Sequence, residues 1–539
     1  MNRPRRGVAK SEQTGESRED APTAEDERAP YGLRSRKKIA ASIPIEVAKQ
    51  QEDTALSAKP ENEQRAIVTR LPEFPDEVFS IVFEFYVEDY YGSPWTLMHV
   101  CRRWRTTATH ARRLWSRIMV TQAIPRFYEP WEPSRRYLNY EVCHREHLLR
   151  DALARVASGP LDIRLAFTTA EHGIYRPEAD ILGRGLIEVL RSEKAYLRIR
   201  CLEATRTSEA WLEHATFEEF EFPSLQRAIL LTGSKDLVTR IQSTASRLQN
   251  LDLTQNGVDP FNWNLSPLKY LTDLRLTKYG RPAGDGGFRM IASARHLVNL
   301  ILNLVNISTR ETLSIPTLQR LNLWLSQIDV PLDLPQLQIL SLNNSTIFTT
   351  KECPLTFPSL VTLNVEGCKL DGLFYIAPQL HTLSISQISD ISKPPRKSRF
   401  SIMLEQVVKS GFLSSRRLCL SRVSMDSKLL VEMLREMPQL EEIEIGDGVP
   451  LQMVFFEAVG GCRILAKKTS EHREPVCTQL KSFRVSLHGI RKEATETAML
   501  RWSHMAVQAR AEGKYPLEQA FLKEKNSIRW VSMLEPTST

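Results

Sequence analysis

The 539-residue chain is 42% hydrophobic and 25% charged, and its 72 basic and 64 acidic side chains leave a formal charge of +8. Those proportions exclude a collagen-like, coiled-coil or wholly disordered protein. So mild a basic surplus over so long a chain fits an acidic partner as readily as nucleic acid. At roughly 100–200 residues per domain, three or four domains and a large core are expected. Apolar runs such as Leu451–Val459 fall far short of the roughly 20 residues that a membrane helix needs. The opening Met1-Asn2-Arg3-Pro4-Arg5-Arg6 has no apolar core of a secretory signal, so a soluble protein of cytoplasm or nucleus, with no membrane partner, is expected. The eight cysteines (Cys101, Cys143, Cys201, Cys353, Cys368, Cys419, Cys462, Cys477) form no CxxC pair, a usage that suits reduced thiols.

Residues 1–70 are rich in Glu, Arg, Ala, Ser and Pro and poor in aromatic and β-branched residues, which predicts a disordered N-terminal region. Within it, Arg34-Ser35-Arg36-Lys37-Lys38 is a basic run of the kind used for nuclear import or, more simply, solvated charge. From 71 to 120 the spacing is helical. Phe74-Pro75-Asp76-Glu77 reads as a helix start, with two acids at the positive end of the dipole. Val78, Phe79, Val82, Phe83 and Tyr86 then recur on one side. After Gly92-Ser93-Pro94, a second helix is expected to carry Leu97, Val100, Cys101, Trp104 and Ala108 on one stripe, and Leu114, Trp115 and Ile118 form a third apolar group. Three short helices make a marginal core that a partner surface would help to stabilise. Residues 121–221 mix helical stretches (Arg145–Val156, Asp180–Arg191) with strand patterns and read as a connector.

Between 222 and 490 the sequence resembles itself. The template L-x-x-L-x-L starts at Leu248, Leu271, Leu297, Leu318, Leu337, Leu360 and Leu380, with degenerate copies at Leu225, Ser415, Leu440 and Leu480. Starts from Leu225 to Leu380 are 19 to 26 residues apart, the period of leucine-rich repeats, in which one strand per repeat stacks into a curved parallel sheet. The second and third template leucines lie two apart, so both point into the core, and the residue between them points to the concave side. Prolines at 223, 316, 335, 358, 378 and 438 precede six of the copies by two residues and suit strand starts rather than interiors. Asn256 and Cys368 are candidates for an internal side-chain ladder. Long gaps hold Lys393-Pro394-Pro395-Arg396-Lys397 and Lys467-Lys468-Thr469-Ser470-Glu471, read as surface insertions. Residues 491–539, with a helix over Lys492–Glu512, read as a helical cap and tail.

The segment Phe74–Phe83, the string Leu97-Met98-His99-Val100-Cys101-Arg102-Arg103-Trp104-Arg105 and the triplet Arg113-Leu114-Trp115 resemble the F-box, the adaptor-binding motif of SCF-type ubiquitin ligases. Over about 70–490 the chain is similar to fungal F-box proteins with leucine-rich repeats, departing from them in Phe74, where Leu is usual, and in a longer 88–94 stretch. The resemblance implies an α/β architecture of an N-terminal three-helix F-box followed by a leucine-rich-repeat solenoid. It also implies a non-catalytic substrate receptor whose F-box docks on an acidic Skp-type adaptor, and through it on a cullin–RING module. Carried over by position, Pro75, Val78, Val82, Phe83, Val100, Trp104, Leu114 and Trp115 form the adaptor-binding surface and the core behind it. Six arginines and no acid between Arg102 and Arg117 suit an acidic partner. An unidentified protein substrate would lie on the polar row Asp252, Arg275, Ile301, Asn322, Ser341, Asn364 and Ser384.

Other chemistry is weakly supported. Cys143, His144 and His147 have C-H-x-x-H spacing but no second ligand cluster, so a structural reading is preferred to zinc. Gly284-Asp285-Gly286-Gly287 lacks the context of a phosphate loop and reads as a flexible loop. Neither G-x-S-x-G nor H-E-x-x-H occurs. No cofactor is expected, and nucleic acid is disfavoured because no clustered basic–aromatic motif is present. The alternative to a ligase receptor is a repeat-based protein-binding scaffold outside any ligase.

Overall fold

The computed structural model describes residues 74–534, except 89–93, 122–140, 167–176, 205–216, 231–234, 257–267, 280–285, 348–354, 369–374, 388–413, 424–426, 448, 450, 463–473, 489–492 and 524–529. All of it belongs to one compact unit, Phe74–Thr539. The disordered region expected over 1–70, its basic run and the two insertions at 393–397 and 467–471 lie outside the described residues.

Three helices come first: α1 (Asp76–Glu88), α2 (Pro94–Met98) and α3 (Arg102–His110), then a 3-10 turn at Arg112–Trp115. The Pro75 carbonyl accepts the N–H groups of Val78 and Phe79, which starts α1. The stretch expected to form one second helix is two. Cys101 is extended (φ −157°, ψ 171°) and its Sγ accepts the N–H of Trp104 at 3.4 Å, so it caps α3 instead of continuing α2.

The rest is built around a 17-stranded sheet. Its strands follow chain order, except that Arg117–Val120 lies between Glu141–Cys143 and Leu161–Leu165. All pair in parallel until the last, Val531–Ser532, which runs antiparallel to Gln519–Lys523. Each of the eleven template copies supplies one strand, beginning two residues after its first position. Over five repeats the register is unbroken: Leu300, Leu321, Leu340, Leu363 and Leu383 stand side by side, as do Leu302, Leu323, Leu342, Val365 and Ile385. All ten are buried. The sheet reaches beyond the repeats read from sequence. Strands 141–143, 161–165 and 199–204 belong to it, with helices α4 (Glu146–Val156) and α5 (Pro177–Ser192) beside them, and strand 519–523 extends it past 490.

What backs each strand varies along the array. In the repeats starting at 299, 320 and 339 short strands stack behind the sheet: Asn306–Ser308, Gln327–Asp329 and Thr346–Ile347 pair in parallel. Other repeats carry helices α6 (Lys235–Thr244), α7 (Gly286–Ala292), α8 (Ser427–Arg435), α9 (Met453–Gly460) and α10 (Glu493–Glu512). Gly286 and Gly287, expected in a loop, open α7. The template prolines sit in turns ahead of the strands. Around Pro316 the Leu318 N–H reaches the Ile315 carbonyl at 3.2 Å, placing proline second in a β-turn, where its fixed φ is already correct.

After each of the six strands from Asn299–Asn303 to Arg417–Ser421 the chain turns a corner through one left-handed residue: Leu304, Leu325, Asn344, Gly367, Gln387 and Arg422 have φ between 47° and 63°. The N–H of each donates to a carbonyl at the end of the next strand, as Leu325 does to Asn343 at 2.8 Å. A buried ladder runs alongside. Ser326 Oγ accepts the Val305 N–H, Ser345 Oγ accepts that of Ser326, and Cys368 Sγ that of Ser345. The ladder therefore runs through Ser326 and Ser345 as well as Cys368, whereas Asn256 lies on strand Asn250–Asn256 opposite Tyr279.

Candidate functional site

Two surfaces stand out, and the first is the outer side of α1. Val78, Ile81, Val82 and Phe85 follow i, i+3, i+4, i+7 spacing, so they form one stripe, and they are 38 to 58% exposed. Val100 and Phe74 extend this apolar surface. Behind it lies an aromatic core: Phe83 packs 4.9 Å from Trp104, and Phe79 6.0 Å from both. Val82, Tyr86, Leu97, Val100 and Trp104 line a groove of about 270 Å³ between α1, α2 and α3. Arg103 is tied to Asp76 at 2.9 Å and Arg113 to Glu84 at 3.3 Å, while Arg102 and Arg112 are exposed.

The residues expected at this surface divide between two roles. Pro75, Val78, Val82 and Val100 are exposed, Trp104 is half-buried, and Phe83, Leu114 and Trp115 are at most 2% exposed. The last three hold the surface up from within and cannot themselves touch a partner. Ile81, Phe85 and Trp95 are exposed apolar residues that the sequence reading did not single out, and Phe74, noted there only as a departure from the F-box pattern, is exposed too. A signal for two of them existed: α1 carries apolar residues on every side, more than one small core can bury.

The three helices are joined firmly to the sheet. Trp115 Nε1 donates to the Ala108 carbonyl at 2.8 Å, and the Trp95 ring meets Trp115 edge-on at 5.1 Å. The Arg155 guanidinium from α4 lies over both rings, 5.4 and 5.2 Å from their centres, and pairs with Glu141 of strand Glu141–Cys143. Burial raises the Glu141 carboxyl above its ordinary value, although Arg155 opposes this.

The second surface is the open face of the sheet, opposite the core. Asp252, Arg275, Ile301, Asn322, Ser341, Asn364 and Ser384 stand in one unbroken row. Its charges are largely consumed internally. Asp252 and Arg275 are 4.0 Å apart, Arg164 and Glu203 3.4 Å, and Arg417 meets Glu444 at 3.0 Å. Burial raises the Asp252 carboxyl, with Arg275 and Arg227 working against it. Arg227, Ile229, Asp252, Arg275, Asn299 and Ile301 border a depression of about 350 Å³. Further along, Asn364 donates to Ser341 Oγ at 3.1 Å.

No catalytic grouping is apparent among the described residues. Cys143 is buried in the core, with its thiol pushed up to about 12 chiefly by burial, while His147 is exposed, so the C-H-x-x-H residues do not converge. No cluster of three or more metal-ligating side chains occurs among the described residues, and none of their helices is long and apolar enough to cross a membrane.

No protein-family model matches the chain, and no curated protein matches it. Among solved structures, one similar chain is that in "Crystal structure of TLR13-ssRNA13 complex", at 15% identity and a TM-score of 0.27. The match covers 70% of this chain and 59% of that one, so this chain spans less than two thirds of its length. The repeat architecture described above rests on the strand register itself.

Proposed function

We propose that this protein is the substrate-recognition subunit of an SCF-type ubiquitin ligase. In this reading α1–α3 are the F-box and dock on a Skp-type adaptor, which connects to a cullin–RING module. The open face of the repeat sheet holds a protein substrate. The observation that supports it best is the apolar stripe Val78–Ile81–Val82–Phe85 with Val100: an exposed face of this kind marks a protein-binding surface, and here it coincides with the motif that resembles an F-box. Exposed Arg102 and Arg112 beside it suit an acidic adaptor. The chain itself performs no chemistry; its contribution is to hold a substrate beside a ubiquitin-loaded enzyme, an effect of proximity. Cytoplasm and nucleus, where such complexes work, are the compartments this reading implies.

The test is co-purification of the full chain with its adaptor, beside an Ile81→Asp, Phe85→Asp double variant. Both positions face solvent, so the variant retains its fold. A stoichiometric complex with the wild type, lost in the variant while the circular-dichroism melt is unchanged, is the expected result. A well-folded wild type that captures no adaptor defeats the reading and leaves the alternative, a repeat-based scaffold that binds protein outside any ligase.

A further inference from the structure

Strand 320–324 carries a local anomaly. Trp324 and Leu325 are adjacent in sequence and 54% and 48% exposed, in a molecule that buries nearly every other repeat leucine. Burial alternates along the strand, so Arg320, Asn322 and Trp324 all project from the open face. Leu325 follows at the corner with φ 48°, a conformation that costs a leucine about 1 kcal/mol and costs glycine almost nothing. The preceding repeat has Leu304 (φ 58°) at the equivalent corner, but half-buried, and the next two have Asn344 and Gly367, residues that tolerate it. An exposed apolar side chain held at a strained position is disfavoured by both solvation and backbone, and packing among the described residues does not account for it.

The neighbouring groups specify what would cover it. Asn303 flanks Trp324 in register and Asn322 stands two residues before it on the same strand. Neither side-chain amide makes a hydrogen bond among the described residues, and each offers a donor and an acceptor, the pair that a peptide backbone complements. At the other end of the strand, Arg320 is exposed and, like Arg227 four strands away in the same row, makes no ion pair among the described residues, whereas the open-face arginines Arg164, Arg275 and Arg417 are paired with acids.

We propose that the open face holds an extended peptide segment of its partner along strand 320–324, with a large apolar side chain against Trp324 and Leu325 and a carboxylate on Arg320. The two contacts are about 13 Å apart at roughly 3.3 Å per residue, which spaces the partner's apolar and acidic residues about four apart. This rests on the reading of the open face as the substrate-holding surface and adds the class of segment it takes.

The probes are fluorescein-labelled synthetic 12-residue peptides with one Phe and one Glu in a Ser/Thr/Gly background, placed two, four or six positions apart, titrated into the full chain by anisotropy. The expected result is at least tenfold tighter binding for a spacing of four than for the same peptide with Glu→Gln or Phe→Ala. Trp324→Ala and Arg320→Gln should each abolish that preference. Leu325→Asn separates a binding role from a structural one: it should raise Tm by relieving the backbone while weakening the peptide at least threefold. Equal binding of all spacings, or a Leu325→Asn protein with higher Tm and unchanged affinity, overturns the proposal. Adaptor co-purification of the same variants keeps the two readings apart. A chain that captures adaptor but shows no spacing preference refutes the peptide class and leaves the receptor reading standing, and the converse pattern does the reverse.

Discussion

Arg510 is a fully buried cation with four backbone carbonyls as its partners. Its guanidinium donates to Val459 at 2.9 Å, Tyr515 at 3.0 Å, and Cys477 and Leu480 at 3.3 Å, joining α9, α10 and the strand that follows. Burial lowers its pKa, although guanidinium remains charged at any ordinary pH. Truncation would orphan several buried acceptors at once, each costing about 1–3 kcal/mol. Arg510→Met should therefore destabilise by at least about 3 kcal/mol in urea, and a loss below about 1 would show that the carbonyls find other donors. Ser415 has the opposite defect. It stands where ten other template copies have leucine, is completely buried, and its hydroxyl has no partner among the described residues. Ser415→Ala should stabilise by about 1 kcal/mol; a lower Tm would mean that a bound water satisfies the hydroxyl. At the left-handed corners, Gly367→Ala should cost about 1 kcal/mol and force the Asn344 side chain aside, because a Cβ there would lie 2.4 Å from its Oδ1. Gln387→Gly should be neutral or better.

Among elements, α1 combines two apolar stripes. The inner one, Phe79, Phe83, Tyr86 and Val87, makes the core, and the outer one has nothing in this chain's described residues to cover it. Helical periodicity detects apolar positions but not which stripe the fold consumes, so the sequence reading set Phe83 at or behind the surface without deciding which, and did not single out the exposed Ile81 and Phe85. α9 and α10 meet closely at Gly460, where a Cβ would sit 2.8 Å from the Ala506 Cα, backbone that cannot yield. The serine ladder escaped a search for asparagine or cysteine, since any small side chain with an acceptor atom can serve. Ser345→Ala should cost about 1–2 kcal/mol by stripping the buried Ser326 N–H of its acceptor, and Ser345→Cys, copying Cys368, should cost less. Asp447 links strands near the end of the sheet. Partial burial works against its carboxylate, but the Ser486 hydroxyl at 2.6 Å and Lys523 at 3.6 Å outweigh that and hold its pKa below the ordinary value. A depressed carboxyl adds stability that is present above its unfolded pKa and lost as pH falls through its folded one. Asp447→Asn should thus lower Tm at pH 7, and its difference from wild type should shrink as pH falls through and below the ordinary carboxylate range. A difference constant with pH would remove the carboxylate from the account.

On the scale of the whole molecule, the strand register makes one continuous sheet from Glu141–Cys143 to the C-terminal strands, and the three helices are fastened to its first strands through Trp95, Trp115 and Arg155. Under the proposed function, such a fixed distance between α1 and the open face is what a receptor working by proximity would need. Arg155→Ala leaves Glu141 partly buried without its cation. It should lower Tm and expose the junction to limited proteolysis near Trp115, while adaptor capture by the outer face of α1 persists. Loss of capture would mean that the junction shapes that face as well.

Most of the repeat architecture was legible in the leucine template, because two core-facing residues per strand and a period of about 20 are local facts that any stacking must satisfy. For the same reason, every residue expected between the paired leucines lies on the open face. The strands at 141–143, 161–165 and 199–204 were not legible, since their apolar residues follow no template and become sheet only by pairing with strands already stacked. Which apolar residues of α1 are core and which are surface and, among the described residues, that Trp324 and Leu325 are left uncovered and that Arg320 makes no ion pair are likewise relations between segments distant in sequence. Periodicity determined which side of each element is apolar. Only the tertiary packing decided what each apolar side and each charge meets, because burial and ion pairing depend on neighbours in space that local sequence does not specify.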